Sequence, residues 1–265
     1  MLNLFDKRAV LFLPASNPRA IAKARASDAD LVVLDLEDAV KPSDKESARA
    51  AAVAAVATCW PMPVAIRINA TTSDYYAADL AAVAGSRADL IVVPRVGTAR
   101  EIEAVAAAVA RPVAAMIETA VGVLAAPAVA TVAAALIAGT NDLSADLRLP
   151  PGAGRAPLQV ALQSILIAAR AAGVAAFDGV FNRLDDEPGL AAECAASRML
   201  GYDGKSLIHP DQIRACHAAF APSGEELARA ERLVVAATGG AERFEGAMIE
   251  AMHVDAARRL LGRAT

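Results

Sequence analysis

The sequence has little of several features that would narrow its function at once. Only three of its 265 residues are cysteines, widely spaced and without a CxxC pair, so a disulfide framework and a thiolate metal site are excluded. No apolar run reaches the roughly 20 residues of a membrane-spanning helix, and the first residues lack the order of a signal peptide. With 26 Lys and Arg against 30 Asp and Glu, nothing favours nucleic-acid binding. We therefore expect a reduced, soluble, cytoplasmic protein without a membrane or nucleic-acid partner.

Common catalytic and nucleotide-binding motifs are also missing. The chain has no GxGxxG, no GxxxxGK[ST] and no GxSxG, which removes the usual dinucleotide, P-loop and serine-hydrolase signatures. Its three histidines, His209, His217 and His253, do not have the spacing of a zinc site. A soft-metal site is therefore not expected.

What is present is a regular alternation of short β-branched runs with helical stretches rich in alanine, of which the chain has 68. Eight such β–α units predict parallel strands with helical crossovers, and a closed (β/α)8 TIM barrel is the simplest architecture. An open, doubly wound sheet is the alternative that periodicity leaves open. We expect the barrel over residues 1–221 and a helical extension over 222–265 that packs on the barrel or on a neighbouring subunit. The predicted strands are Ala9–Leu13, Leu31–Leu36, Val64–Ile68, Leu90–Val93, Val113–Ile117, Ala135–Ala138, Val174–Phe177 and Gly204–Ile208.

Polar residues gather at the carboxyl ends of these apolar strands. In a barrel these ends meet at one rim, where the active sites of this fold lie. Charges in such places are costly unless they are paired, solvated or bound to a metal. The residues concerned are Asp35, Glu37, Asp38, Arg67, Asn69, Arg95, Glu118, Asn141, Asp142, Asp178, Lys205 and His209.

Two of these carboxylates, Glu118 and Asp142, follow neighbouring strands and suit a hard cation. Mg²⁺ usually takes one or two protein carboxylates and completes its shell with water and substrate oxygens. Plainer readings stay open, because Asp142 could cap a short helix and Glu37 with Asp38 could be a solvated loop pair. Arg67 could be an ion pair of the barrel wall, but with no acid adjacent in sequence we expect it to face an anionic substrate or the metal-site carboxylates.

The motifs that carry these residues resemble a known family. The chain is similar to the citrate lyase β-subunit-like group of the HpcH/HpaI aldolase superfamily, which includes malyl-CoA and citramalyl-CoA lyases. The similarity spans nearly the whole length. It rests on LVVLDLEDAVKPSDKESAR, IRIN, VPRV, MIETAVGVL, GTNDLSADL, FDGVF, GKSLIHPDQI and the C-terminal MIE.

The resemblance implies a (β/α)8 barrel that binds Mg²⁺ through Glu118 and Asp142, with Glu118 also facing the substrate. It implies that Arg67 contacts the substrate, and that Glu37 and Asp38 line the site and hold metal-bound waters. Family members form trimers or hexamers, so a homotrimer or hexamer is expected. The C-terminal acid, Glu250 here, would act as an acid/base in a neighbouring subunit.

Three positions depart from the family pattern. Arg95 stands where lysine is common, Asn141 where a carboxylate is usual, and Glu250 where lyases carry aspartate. The extra methylene of Glu250 keeps acid/base chemistry possible but changes its reach.

The expected function is a Mg²⁺-dependent carbon–carbon lyase. It would cleave or form a 3-hydroxyacyl-CoA of the malyl-, citramalyl- or citryl-CoA type, with acetyl-CoA and a 2-oxoacid such as glyoxylate, pyruvate or oxaloacetate as the other partners. Acyl-CoA thioesterase activity at the same site and non-catalytic binding of a 2-oxoacid with Mg²⁺ are the alternatives. A class II pyruvate aldolase is a weaker one, since Ala39 stands where that branch needs histidine.

Overall fold

The computed structural model describes residues 2–262 and divides the chain into two compact units, with the boundary between Ala219 and Phe220. Whether residues 222–265 form a separate extension that packs on a neighbouring subunit stays a prediction.

The first unit is a closed barrel of eight parallel strands in sequence order. The last strand pairs with the first, where Ala9 lies opposite Lys205. This closure confirms the TIM barrel and excludes the open doubly wound sheet, and each predicted strand is found within two residues of its expected ends. The strands are β1 (Ala9–Pro14), β2 (Leu31–Asp35), β3 (Val64–Arg67), β4 (Leu90–Val93), β5 (Val113–Ile117), β6 (Ala135–Ala138), β7 (Ala175–Asp178) and β8 (Gly204–Leu207).

Helices link successive strands around the barrel. Asn17 caps the first helix by accepting hydrogen bonds from two backbone N–H groups, and Pro18 occupies its first position. The helices are α1 (Pro18–Arg25), α2 (Lys45–Val56), α3 (Tyr76–Ala84), α4 (Ala99–Val109), α5 (Ala120–Ala130), α6 (Thr140–Asp146), α7 (Gln159–Ala172), α8 (Glu187–Leu200) and α9 (Ile213–Phe220).

Alternate residues of the strands fill the barrel interior, as the two-residue period of a strand requires. Asp35, Arg67 and Glu118 each come two residues after a member of this core, so they continue its inward face at the carboxyl end of the barrel. The core consists of Leu4, Val10, Phe12, Leu31, Val33, Ala65, Leu90, Val92, Ala114, Met116, Ala135, Ile137, Ala175 and Phe177.

The second unit is part helix and part hairpin. It comprises α10 (Gly224–Ala236), β9 (Glu242–Phe244), β10 (Ala247–Ile249) and α11 (Ala251–Gly262). The extension expected to be helical over 222–265 is thus interrupted, because β9 and β10 pair antiparallel around a turn in which Glu245 and Gly246 both have positive φ. Ala230, Leu233, Ile249, Val254 and Ala257 form a small core of this unit.

Within residues 2–262, no helix is both long enough and apolar enough to cross a membrane.

Candidate active site at the mouth of the barrel

A cavity of about 300 Å³ opens at the carboxyl ends of the strands. Four residues predicted for the site, Asp38, Arg67, Glu118 and Asp142, line it together. Apolar and uncharged polar residues supply the remaining wall. These include Phe12, Ala39, Met116, Ala138, Gly139, Thr140, Asn141, Val180, Ser206 and Ile208.

Arg67 is held in a bidentate ion pair with Asp35, its register neighbour across β2 and β3. Its Nε donates to Asp35 Oδ1 at 2.6 Å and its Nη2 to Asp35 Oδ2 at 2.7 Å. Burial opposes both charges, but their attraction is stronger, so the pKa of Asp35 is lowered and the pKa of Arg67 is raised. The β2–β3 register thus gives Arg67 the barrel-wall ion pair that the sequence left open, and its contact with an anionic substrate stays a prediction.

The remaining nitrogen of Arg67 faces the cavity. Its Nη1 lies 2.9 Å from Glu37 Oε2 and 3.5 Å from Met116 Sδ. The Glu37 contact lacks hydrogen-bond geometry, and within the described part of the chain Glu37 Oε2 has no hydrogen-bond partner. Burial, opposed by Arg67 and reinforced by the charge of Glu118, raises the pKa of Glu37 to about 8. Glu37 thus carries a proton at neutral pH beside a fixed guanidinium.

Lys45 holds the loop that carries Glu37 and Asp38 in place through hydrogen bonds. The Lys45 ammonium is buried and donates to the carbonyl oxygens of Leu36 and Glu37 and to Asn69 Oδ1, each at 2.7 Å. Asp38 is exposed and lines the cavity, whereas Glu37 is buried, so the two do not form a solvated loop pair. The sequence reasoning did not identify Lys45 as a residue near the site, because it considered charged residues at strand ends and Lys45 is the first residue of α2.

Glu118 is the most buried acid of the cavity, with 1% of its surface exposed. Its Oε1 accepts a 2.6 Å hydrogen bond from the backbone N–H of Arg95. A Cβ on Gly139 would collide with the Glu118 carboxylate, so only glycine fits at the end of β6. Burial, opposed by the charge of Arg67 and reinforced by that of Asp142, raises the pKa of Glu118 to about 7.

Asp142 lies in the first turn of α6, whose N-cap is Gly139, so it does not cap the helix. Its Oδ1 accepts a 3.0 Å bond from Arg95 Nη1. Arg95 therefore reaches Glu118 through its backbone and Asp142 through its side chain. It does so with φ +52, a conformation that costs a non-glycine residue about 1–3 kcal/mol and is concentrated at functional sites.

The donor set of this cavity fits a hard divalent cation. Within residues 2–262 no group of three or more His, Cys, Asp or Glu side chains forms a ready metal cage. Two carboxylates facing one cavity, with room for water and a ligand, match the demands of Mg²⁺ better than those of zinc. The raised pKa of Glu118 has the repulsion of Asp142 among its causes, and a bound cation would relieve that repulsion.

Other predicted residues lie elsewhere. Asp178 and Lys205 pair at 2.7 Å on the outer face of the barrel, against α8. His209 lines a second cavity of about 370 Å³ that shares Phe12 and Ile208 with the first. Glu250 belongs to the second unit, directly before α11, where its backbone N–H donates to His253 Nδ1 at 3.0 Å.

Ser206 is a cavity residue that the sequence reasoning missed. Its hydroxyl is buried and, in the described chain, has no hydrogen-bond partner. As a small residue within the GKSL strand it carries no strong signal. Its position opposite Val10, a residue of the inner core, could have been inferred only from the β1–β8 register.

The chain is similar to known proteins over most of its length. Residues 8–210 match the profile of the HpcH/HpaI aldolase/citrate lyase family. The (3S)-malyl-CoA thioesterase of Cereibacter sphaeroides is 39% identical over 97% of this chain and 94% of that protein. Citrate lyase subunit beta of Escherichia coli is 32% identical over 97% of this chain and 93% of that protein. The crystal structure of CitE from Mycobacterium tuberculosis with magnesium, acetoacetate and coenzyme A has a TM-score of 0.88 and 34% identity, and covers 98% of this chain and 99% of that one.

Proposed function

The chain belongs to the HpcH/HpaI aldolase/citrate lyase family and is a lyase-type enzyme, and from this premise we propose that it is a Mg²⁺-dependent carbon–carbon lyase acting on a 3-hydroxyacyl-CoA. The products would be acetyl-CoA and a 2-oxoacid. Magnesium as the predicted cofactor is confirmed for the family by the CitE complex, which also holds an oxoacid and coenzyme A.

One observation carries the proposal: Glu118 and Asp142 face the same cavity as Arg67. Glu118 and Asp142 would hold the cation. When bound, Mg²⁺ supplies Lewis-acid polarisation of the hydroxyl or carbonyl oxygen of the oxoacid portion. The side chain of Arg67, fixed by Asp35, presents Nη1 to the cavity without further reorganisation.

The protein side chains divide the remaining work. In the cleavage direction a base removes the 3-hydroxyl proton, the adjacent C–C bond breaks, and its electron pair remains on the acetyl-CoA enolate. Arg67 offsets the charge of that enolate oxygen, and an acid protonates its carbon. Asp38 is an exposed carboxylate of the cavity wall and would serve as an acid/base, while the protonated carboxyl of Glu37 lies 2.9 Å from Arg67 Nη1.

The neighbouring cavity suits the anionic part of the acyl-CoA. Asn17, Arg19, Lys23 and His209 line it, and it adjoins the first cavity at Phe12 and Ile208. Exposed cationic side chains are suited to phosphate groups. An acyl-CoA with its phosphate groups in this second cavity would pass Phe12 and Ile208 and place its acyl group in the first cavity, at Arg67.

Thioester hydrolysis at the same site is a second candidate. The observation that favours it is the 39% identity with a (3S)-malyl-CoA thioesterase, higher than the 32% with citrate lyase subunit beta. Here water, rather than an enolate, is the nucleophile, and the C–S bond breaks to release the thiol. The same cavity residues would bind the acyl group in both reactions.

The deciding experiment is a screen of purified protein with Mg²⁺ against malyl-, citramalyl- and citryl-CoA. Both free thiol and released oxoacid are followed. Oxoacid release without free thiol supports the lyase. Thiol release without oxoacid supports the thioesterase. Silence in both assays, with calorimetric binding of the oxoacid, would leave only a binding protein and overturn both enzymatic proposals.

We further propose that Glu250 completes the site of a neighbouring subunit in a homotrimer or hexamer. Inactive Glu118→Ala protein is mixed with inactive Glu250→Ala protein under subunit exchange. Action in trans predicts that activity returns in part, because some sites combine an intact Glu118 with an intact Glu250. Zero activity after exchange has been verified by mass-tagged subunits would contradict the role in trans. A displacement of about 1 Å costs around a hundredfold in rate, so Glu250→Asp is expected to change turnover measurably.

A further inference from the structure

Arg95 contacts both carboxylates that the proposed function assigns to the cation. Its backbone N–H donates to Glu118 and its guanidinium pairs with Asp142 Oδ1 at 3.0 Å. The hydrogen bond of its N–H and its positive φ fix the backbone of Arg95. Its side chain is 46% exposed. The guanidinium can therefore change its position by side-chain rotation while the backbone of Arg95 stays in place.

The charges at the cavity make this cation distinctive. Arg67, a cation that lines the cavity, is already paired with Asp35. Glu118 and Asp142 together balance one divalent ion. With that ion present, Asp142 has no charge left for Arg95, and the two positive groups repel each other at short range.

Resting on the proposed function, we propose that Arg95 is a specificity-determining residue that couples the cation to the substrate. Its guanidinium holds Asp142 while the cation is absent and competes with the cation for that carboxylate. Once displaced, it pairs with the carboxylate of a dicarboxylic 2-oxoacid that lies away from the cation. The residue therefore selects oxaloacetate-type ligands over monocarboxylic ones such as pyruvate.

If Arg95 competes with the cation, its removal changes the Mg²⁺ affinity in the direction opposite to the removal of a residue that orients a metal ligand. A residue that merely orients a metal ligand weakens metal binding when it is removed. Removal of a competing cation strengthens it. Because the Arg95–Asp142 pair is partly exposed, Arg95→Met should tighten Mg²⁺ binding by only about two- to fivefold.

The experiment is calorimetry on the full-length protein, first with Mg²⁺ alone and then with oxaloacetate or pyruvate at saturating Mg²⁺. Arg95→Met is expected to bind Mg²⁺ more tightly, to lose about tenfold or more in oxaloacetate affinity and to keep its pyruvate affinity. Arg95→Lys retains a charge but lacks the fork, and should fall between the two proteins. Unfolding curves check that both variants remain folded.

Arg183→Met is the matched control, since Arg183 is an exposed arginine at the β7–α8 loop that pairs with Asp186. It should leave Mg²⁺ and oxaloacetate binding near wild-type values, which separates direct competition from a general loss of positive charge. Unchanged or weaker Mg²⁺ binding in Arg95→Met would overturn the coupling, as would equal losses for both oxoacids. Asp142→Asn separates the two levels of the argument. If it binds Mg²⁺ as well as the wild type, the proposed metal site fails and the coupling fails with it; if it loses Mg²⁺, only the Arg95 result bears on the coupling.

Discussion

Two ion-pair networks lie on opposite faces of the same barrel wall. On the inner face, Arg67 pairs with Asp35 at the ends of β2 and β3. On the outer face, Lys205 pairs with Asp178 at β7 and β8. All four side chains are at most 10% exposed, and all four come from charged residues at or next to strand ends.

The networks differ in whether any bonding capacity is left. Lys205 Nζ donates to Asp178, to Glu193 and to the carbonyl oxygen of Gly179, which uses its three protons. Arg155 and Ser197 add further bonds to Asp178. This outer network is closed and can only hold β7 and β8 against α8.

The inner network is open. Arg67 Nη1 donates only to the weak acceptor Met116 Sδ at the cavity wall among residues 2–262, and Glu37 has a buried oxygen without a hydrogen-bond partner among the same residues. Unused capacity beside a cavity is what a substrate requires, whereas a satisfied cluster gives rigidity. The inner network should therefore control turnover and the outer one stability.

The largest expected effect tests the outer network. Lys205→Met leaves Asp178 buried with one cationic partner fewer, and should lower the free energy of unfolding by about 3–5 kcal/mol. Urea unfolding measures this loss, and calorimetry on the folded variant should give a Mg²⁺ affinity equal to that of the wild type.

Lys41→Met is its control, because Lys41 is exposed and should change stability by less than about 0.5 kcal/mol. If Lys205→Met weakened Mg²⁺ binding strongly while the protein remained folded, the division between the two networks would be wrong.

The next effect tests the inner network. Arg67→Lys keeps the charge but cannot make the two parallel bonds to Asp35 and still direct a donor at the cavity. Turnover should fall by about 10²–10³-fold, the loss typical of a preorganised donor to a developing oxyanion. The free energy of unfolding should change less than in Lys205→Met. Near wild-type turnover in this variant would contradict the role of Arg67 as a donor to the developing oxyanion.

The sequence was sufficient to predict which residues end strands, but not which way they face. The eight strands and the clustering of Arg67, Glu118 and Asp142 followed from apolar runs that end in charge. The direction of a side chain depends on strand parity relative to the barrel core, and a shift of one residue reverses it. Asp178 is therefore indistinguishable from Asp35 in sequence, although it faces α8.

Contacts across the barrel were beyond sequence reasoning for a related reason. The Arg67–Asp35 pair depends on the β2–β3 register, and the Arg95–Asp142 pair joins residues 47 positions apart. The β9–β10 hairpin was missed because three-residue strands give too short a pattern to separate from the helix that follows.

The smallest effect tests the open capacity at Glu37. Its pKa is about 8 in the folded protein against 4.5 ordinarily, so between these values the native state binds a proton that the unfolded state has released. Stability contributed by that proton is fully present below about pH 4.5 and is lost as pH rises towards 8. Glu37→Gln has no proton to lose, so its stability relative to the wild type should increase from pH 5 to pH 8 by about 1–3 kcal/mol. Urea unfolding at several pH values measures this difference, with exposed Glu46→Gln on α2 as a control that should run parallel to the wild type. Parallel curves for Glu37→Gln as well would show that Glu37 is ionised at neutral pH and that the inner network is as closed as the outer one.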